Sequence, residues 1–235
     1  MSGHSKWATT KRAKEAKDVK RSGAFTKLAK AISIAARDGA DPNANFKLRM
    51  AIDRARKYSL PKDNIDRAIK TGSGGDGSTI MEELVYEAYG PAGSALIIEI
   101  ITDNKNRTAG DVRHLIAKMG GNLATSGAVM WMFLRRGVIY LANVSISDDQ
   151  ELQLIDAGAV DISQESDGVV IYTEIVDLNK VRETAEQLGL TVNDSGLEYI
   201  AKDKVKIAEP EKIMNLMEAL DDLDDVQEVY TNIEL

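Results

Sequence analysis

The sequence predicts a multidomain α+β protein: an N-terminal helical bundle followed by two α/β domains of the ferredoxin-like kind, the last inserted into the second. Apolar residues first recur with a helical period, and after a glycine-rich stretch at 71–78 they form short segments typical of strands alternating with helices. The charge changes sign at the same place. The first 77 residues carry 18 Lys and Arg against 8 Asp and Glu, and the remaining 158 carry 12 against 29.

Three short helices are predicted in the basic part, over residues 22–37, 44–58 and 61–70. Residues 59–61 read Ser-Leu-Pro, which favours a new helix start because proline is tolerated in a first turn. Since each apolar stripe is narrow, the three helices must share one small core. Residues 1–20 contain few core formers, and we expect them to become ordered only on a partner.

Residues 71–78 are predicted to form a flexible linker, because they read Thr-Gly-Ser-Gly-Gly-Asp-Gly-Ser. A phosphate-binding loop would need a leading strand and a following Gly-Lys-Ser/Thr, and the sequence has neither. The linker makes the basic part a separate domain.

Strands are predicted at 84–89 and 94–101, joined by a Gly-Pro-Ala-Gly turn. A helix follows from Thr108, where Asp111 three residues later favours a capping box. Residues 129–134 are apolar at both odd and even positions, which predicts a strand that is covered on both faces.

From Gly137 a second pattern predicts the order strand, helix, strand, strand, helix, strand, which is typical of a ferredoxin-like unit. The chain end adds a helix at 211–220 and a strand at 226–233. Because the middle region has too few strands to close its own sheet, we expect these last elements to complete it. The predicted domains are 1–77 with a mobile N-terminal arm, 78–136 plus 204–235, and 137–203.

The composition excludes several classes of site. Without cysteine there are no disulfides, thiolate nucleophiles or Cys-ligated zinc. No apolar run approaches the ~18 residues of a membrane span, and we expect a cytoplasmic protein with no membrane contact.

The histidines and serines of the chain do not form a known catalytic or metal-binding motif. His4 and His114 have no second ligand that would complete a zinc set, and no serine lies in an elbow motif. The acidic run at 221–225 lacks the spacing of a calcium loop, and we interpret it as a solvated helix end. The sequence therefore predicts no enzyme, no cofactor, no metal and no small-molecule substrate.

Two polar segments are not explained by folding. Residues 3–7, Gly-His-Ser-Lys-Trp, place an aromatic ring among cations, a combination suited to phosphate contact and base stacking. Residues 102–108 separate a strand from a helix, and turn and cap chemistry accounts for most of them. It does not account for Lys105 or Arg107, which would reach phosphate beside the helix start.

Long motifs give the chain a family resemblance. They include residues 3–7, 60–69 (Leu-Pro-Lys-Asp-Asn-Ile-Asp-Arg-Ala-Ile), 86–91 (Tyr-Glu-Ala-Tyr-Gly-Pro), 102–108 and 158–161. With these motifs the chain resembles the YebC/PmpR family of bacterial proteins and is similar to the mitochondrial translational activator of cytochrome c oxidase subunit I. The resemblance implies three domains, the last inserted into the second, and no known catalytic activity.

The resemblance also implies a nucleic-acid-binding regulator of gene expression. Family members are described as DNA-binding transcriptional regulators or as ribosome-associated translation factors, so the partner is DNA or ribosomal RNA. The helix at 61–70 offers no clear base-reading set, which favours RNA, whereas the family descriptions favour transcription. A scaffold whose basic domain binds an acidic protein, or an enzyme built from distant carboxylates, are the alternatives.

The candidate nucleic-acid contacts combine the leading segment, the charged helix faces and the second polar segment. They are Gly3, His4, Ser5, Lys6, Trp7, Lys11, Arg12, Lys14, Lys17, Lys20, Arg21, Lys27, Lys62, Arg67, Lys105 and Arg107.

Overall fold

The structure, a computed structural model, describes residues 21–74 and 81–234, with side chains from residue 23 onward. Within these ranges the α-helices are α1 (Arg21–Ala35), α2 (Phe46–Lys57), α3 (Lys62–Gly72), α4 (Lys105–Lys118), α5 (Asp148–Ala157), α6 (Leu178–Gln187) and α7 (Pro210–Asp221). The strands are β1 (Glu82–Tyr89), β2 (Ala95–Thr102), β3 (Asn122–Leu123), β4 (Phe133–Ala142), β5 (Ala159–Glu165), β6 (Gly168–Thr173), β7 (Asp194–Ala201) and β8 (Val226–Thr231).

Helices α1 to α3 share one aliphatic core, as their narrow stripes predict, with Ile32, Leu48 and Ile65 buried in it. The buried Asn45 joins the first two helices. Its side-chain oxygen accepts the Leu48 N–H at 3.1 Å and so caps α2, while its amide nitrogen donates to the Ala35 carbonyl at 2.7 Å. One polar residue therefore satisfies backbone groups at the end of one helix and the start of the next.

The backbones of α1 and α3 approach each other closely at Ser33 and Gly72. The Ser33 hydroxyl donates to the Ala68 carbonyl at 2.9 Å. A Cβ atom on Gly72 would lie 2.0 Å from the Ser33 carbonyl oxygen. Helix α3 runs to Gly72 itself, and the absent side chain allows the two helices to pack at this distance.

The first sheet has the order β3-β1-β2-β8 and is antiparallel throughout. Helices α4 and α7 cover one face, where Ile98, Ile116 and Leu216 are fully buried. The terminal strand β8 pairs with β2, so the chain leaves this sheet after β3 and returns to it at its end. The sheet differs from ferredoxin-like order because the tight turn at 90–93 places the β1–β2 hairpin in its centre.

The second sheet has the order β5-β6-β4-β7, and α5 and α6 pack on one of its faces. This is the antiparallel order of a ferredoxin-like unit, with β4 and β6 central and the edge strands β5 and β7 added by helical crossovers. The predicted α+β class is confirmed. The domain boundaries at 77, 136 and 203 stay a prediction.

The predicted strand over residues 129–134 is wrong for its first part. Residues Met130–Met132 form a 3-10 turn, β4 begins only at Phe133, and Trp131 is 63% exposed. The cause is the buried Glu87, whose carboxylate accepts backbone N–H groups of Gly127, Val129 and Met130 at 2.6, 2.7 and 2.8 Å.

Burial alone would raise the pKa of Glu87, but these three backbone hydrogen bonds outweigh it and lower the pKa below its ordinary value. The anion is therefore a fixed anchor of the loop. Val129, one of its partners, lies 42 positions away in the sequence. The pattern of apolar residues at 129–134 therefore gave no sign of this contact.

None of the helices in the described ranges is both long and apolar enough to cross a membrane.

Candidate nucleic-acid interface

Helix α1 presents two lysines to the segment Asp221–Asp225, which we call the acidic turn. Lys27 Nζ lies 2.9 Å from an Asp221 carboxylate oxygen, and Lys30 Nζ lies 2.5 Å from an Asp225 carboxylate oxygen. Lysines three positions apart lie on the same face of a helix, so one face of α1 makes both contacts. The interpretation of this acidic run as a solvated helix end is wrong for Asp225, whose side chain is only 12% exposed.

The Asp225 carboxylate accepts hydrogen bonds from four side chains, which belong to three elements. Besides Lys30, it accepts the Thr108 hydroxyl at 2.6 Å, the Arg107 guanidinium at 3.0 Å and the Thr102 hydroxyl at 3.2 Å. Burial alone would raise its pKa, but the bonds from Lys30, Thr108 and Arg107 lower the pKa to about 2. Asp225 is therefore the central acceptor between α1, β2 and α4.

The predicted capping box at Thr108 is wrong, because the cap of α4 lies four residues earlier. Its cap is Asn104, whose side-chain oxygen accepts the Arg107 N–H at 3.1 Å. The Thr108 hydroxyl is left for Asp225, a partner that lies 117 positions away. A polar side chain caps the helix as expected, but the cap is Asn104 and not Thr108.

Arg107 and Lys105, the predicted contacts beside this helix start, differ in their surroundings. The Arg107 guanidinium lies 2.8 Å from Asp103 and 3.0 Å from Asp225, and its side chain is half-exposed. Lys105 is exposed. A phosphate at this end of α4 would have to compete with two carboxylates for Arg107.

Helix α2 makes a second set of cationic contacts, which the sequence analysis missed. Arg54 lies 2.6 Å from Glu228 on β8, and Lys57 donates to the backbone carbonyls of Val192 and Asn193 before β7. Phe46 stacks 5.6 Å from the Arg182 guanidinium on α6. The bundle is thus joined to both sheets. The charge-rich face of 44–58 was a signal for these contacts, but it did not indicate their partners.

Helix α3 carries three cations that are exposed to solvent, as Lys47 and Arg56 on α2 also are. Lys62, Arg67 and Lys70 are exposed, and the acidic Asp63 and Asp66 lie between them. Of the predicted contacts within the described side chains, Lys62, Arg67 and Lys105 are therefore exposed, whereas Lys27 and Arg107 converge on the acidic turn.

The other predicted contacts cannot be placed. Gly3, His4, Ser5, Lys6, Trp7, Lys11, Arg12, Lys14, Lys17 and Lys20 lie outside the described residues. Arg21 begins α1, where the structure describes only its backbone. The assignment of these residues to a nucleic-acid interface stays a prediction.

A cleft of about 180 Å³ lies where the bundle meets both sheets, and its lining contains five acidic residues and one basic residue. Glu83, Glu99 and Glu228 line it together with Arg54, and burial raises the pKa of Glu99 to about 7. Across residues 21–74 and 81–234, no three His, Cys, Asp or Glu side chains are arranged to hold a metal ion. A phosphate backbone would be repelled from this cleft.

The fold and these contacts define an α+β protein with a basic helical bundle and two four-stranded antiparallel sheets. Ion pairs join the bundle to the first sheet, and hydrogen bonds from Lys57 and the Phe46–Arg182 contact join it to the second. Residues 5–75 match the TACO1/YebC protein N-terminal domain, and residues 81–233 match the TACO1/YebC second and third domain. The chain belongs to the TACO1/YebC family.

Relatives match the chain along its whole length. A "Probable transcriptional regulatory protein" of Kosmotoga olearia is 48% identical over 241 residues, covering 100% of this chain and 95% of the relative. One of the same name from Caldanaerobacter subterraneus is 44% identical, covering 100% and 99%. The crystal structure of a conserved hypothetical protein from Aquifex aeolicus has a TM-score of 0.84 at 38% identity, covering 92% of this chain and 91% of that one.

Proposed function

We propose that this protein is a non-enzymatic regulator of gene expression that binds nucleic acid through the basic residues of its first 77 positions. The observation that carries this proposal is that some cations of the bundle are paired with the acidic part, whereas others stay exposed. Lys27, Lys30 and Arg54 are paired with carboxylates of the acidic part. The exposed cations of α3, with the basic leading residues, supply the phosphate contacts.

The contacts from α3 position the nucleic acid and do not read its bases. Lys62, Arg67 and Lys70 alternate with Asp63 and Asp66, so the helix lacks a continuous basic face that a major groove would accept. Binding is therefore largely independent of sequence, and its affinity falls steeply with salt.

The relatives' name supports a role in transcription, and duplex DNA is accordingly the first candidate target. Ribosomal RNA is the second candidate. It is favoured by the missing base-reading set, since folded RNA is recognised through shape, phosphate contacts and stacking.

The test measures binding of the full chain to duplex DNA and to purified ribosomes across a salt series. Combined substitutions Lys62→Glu, Arg67→Glu and Lys70→Glu should weaken binding about tenfold or more and flatten the log–log salt slope by about 0.9 per lost duplex contact. The matched control is Lys206→Glu with Lys212→Glu, two exposed lysines of the acidic part. Its affinity should stay within about twofold of wild type.

Retention by ribosomes alone would select the RNA role, and retention by DNA alone would select the transcriptional role. If neither target binds at low salt, or if the control weakens binding as much as the α3 variant, the proposed function is wrong.

A further inference from the structure

The second sheet exposes a group of large apolar side chains that its fold leaves uncovered. Leu152 and Ile155 on α5 are 60% and 48% exposed, and Val160 at the start of β5 is 52% exposed. Ile175 and Val176, between β6 and α6, are 46% and 85% exposed. We call these five residues the apolar patch. Of nine large apolar side chains exposed within 21–74 and 81–234, five fall in this short span, so the exposure is concentrated.

Backbone geometry brings Ile155, Val160 and the segment Ile175–Val176 to one end of the sheet, and Leu152 lies on the same face of α5 as Ile155, three positions earlier. The Gly158 N–H donates to the Ile155 carbonyl at 2.9 Å, and a Cβ on Gly158 would lie 3.0 Å from Asp177. Ala159 pairs with Thr173, and the register shift that follows places Val160 in a bulge beside that pair. The end of α5, the start of β5 and the β6–α6 connection therefore meet at one surface.

The patch is separate from the core of the same unit. Leu154 and Ala157 of α5 are buried in that core. Leu152 lies about 200° around the helix from Leu154, so Leu152 faces away from the sheet. Folding of this unit does not require a leucine there, and an apolar surface of this kind is typical of an interaction site.

The charge around the patch restricts what can cover it. Residues 148–177 contain nine Asp and Glu and no Lys or Arg. Two cations lie nearby, Arg136, which pairs with Glu174, and the exposed Lys180, so carboxylates outnumber cations around the patch. Asp156 and Asp161, which flank the patch residues in sequence, are both exposed. A nucleic acid or an anionic lipid surface would be repelled, whereas a cationic protein segment would gain both charge pairing and apolar burial.

We propose that the apolar patch is a docking surface for a cationic amphipathic helix of a partner protein. The apolar stripe of that helix covers Leu152, Ile155 and Val176, and its flanking Lys and Arg side chains pair with Asp156 and Asp161. This inference goes beyond the proposed function and does not rest on it, because it uses no residue of the basic bundle.

The test uses a synthetic helix of about 18 residues, five turns, with leucine on one face and lysine on the other. A second peptide replaces each leucine with serine at the same charge. We expect the full chain to bind the leucine peptide with micromolar affinity at about 0.15 M salt, and to bind the serine peptide at least about tenfold more weakly.

The chain variant Leu152→Ser with Val176→Ser should weaken binding of the leucine peptide about tenfold or more. Its matched control is Val205→Ser, which changes an apolar residue 44% exposed outside the patch and should leave the affinity within about twofold. Circular dichroism and thermal unfolding of both variants confirm that they fold, which is expected for exposed positions.

Equal binding of the two peptides would show attraction by charge alone and overturn the proposal. So would an unchanged affinity of the patch variant, or no binding of the leucine peptide at about 100 µM. If sedimentation shows a dimer that the patch variant abolishes, a second copy of the chain covers the patch, and the proposed partner is wrong.

Discussion

Lys30 of α1 and Asp225 of the acidic turn form an ion pair of 2.5 Å, in which both side chains are largely buried, at 13% and 12% exposure. The pair joins the basic and acidic parts of the chain across 195 positions. Part of the charge asymmetry is therefore neutralised inside the molecule. The cations that stay exposed, among them Lys62, Arg67 and Lys70 on α3, remain available to a polyanion.

The substitution Asp225→Asn should lower the free energy of unfolding at neutral pH by about 2–4 kcal/mol. It leaves Lys30 and Arg107 close together without their shared carboxylate. Urea denaturation measures the change. Asp224→Asn, at an exposed neighbouring position, should cost less than about 0.5 kcal/mol.

The effect of Asp225 should also depend on pH. Its folded-state pKa of about 2 lies below the ordinary value of 3.8, so its stabilisation is complete above that ordinary value and is lost as the pH falls toward 2. A difference between wild type and Asp225→Asn that persists undiminished at pH 2 would contradict this account.

Gly72→Ala should destabilise the helical bundle by about 2 kcal/mol or more, because overpacking forces helices apart. The new Cβ would meet the Ser33 carbonyl oxygen at 2.0 Å. The control is Gly110→Ala in α4, where a Cβ has open space. That change should stabilise the protein by up to about 1 kcal/mol. Thermal unfolding of both variants measures the two changes in stability. Equal changes would contradict the close approach of α1 and α3.

Glu87→Gln should cost about 1–3 kcal/mol, because an amide has one acceptor oxygen where the carboxylate has two. Both Glu87 oxygens accept backbone N–H groups of the 127–130 loop. Hydrogen exchange should show faster exchange of the Val129 and Met130 amides in the variant. Unchanged protection of those two amides would mean that the loop is held by other contacts.

Glu99→Gln should stabilise the protein at pH 8 by the order of 2 kcal/mol and have little effect at pH 5. Burial raises the pKa of Glu99 to about 7, so the folded protein binds its proton more tightly than the unfolded chain does. Wild-type stability therefore falls as the pH rises from about 4.5 to 7, and the variant lacks this component. Urea unfolding at the two pH values measures it, and a variant less stable at pH 8 would contradict the sign.

The element types were predictable because the signals for them are local. The helical stripes at 22–37 and 44–58 and the alternating pattern after Gly137 predict their elements, and the observed helices and most of the strands follow them closely. The exception is β4, which begins at Phe133, four residues before Gly137. Residues 129–134 fail the same test because the anchor of that loop, Glu87, lies on a different strand.

The sequence by itself determined the α+β class, the family motifs and the division of charge between the two parts of the chain. Only the tertiary structure decided which of the basic residues are paired within the molecule and which remain exposed. Lys27 and Lys30 resemble Lys62 and Lys70 in sequence, yet the first two meet carboxylates 194 and 195 positions away. Folding brings such pairs together through packing of the bundle on both sheets, and the strength of an ion pair depends on that distance and burial.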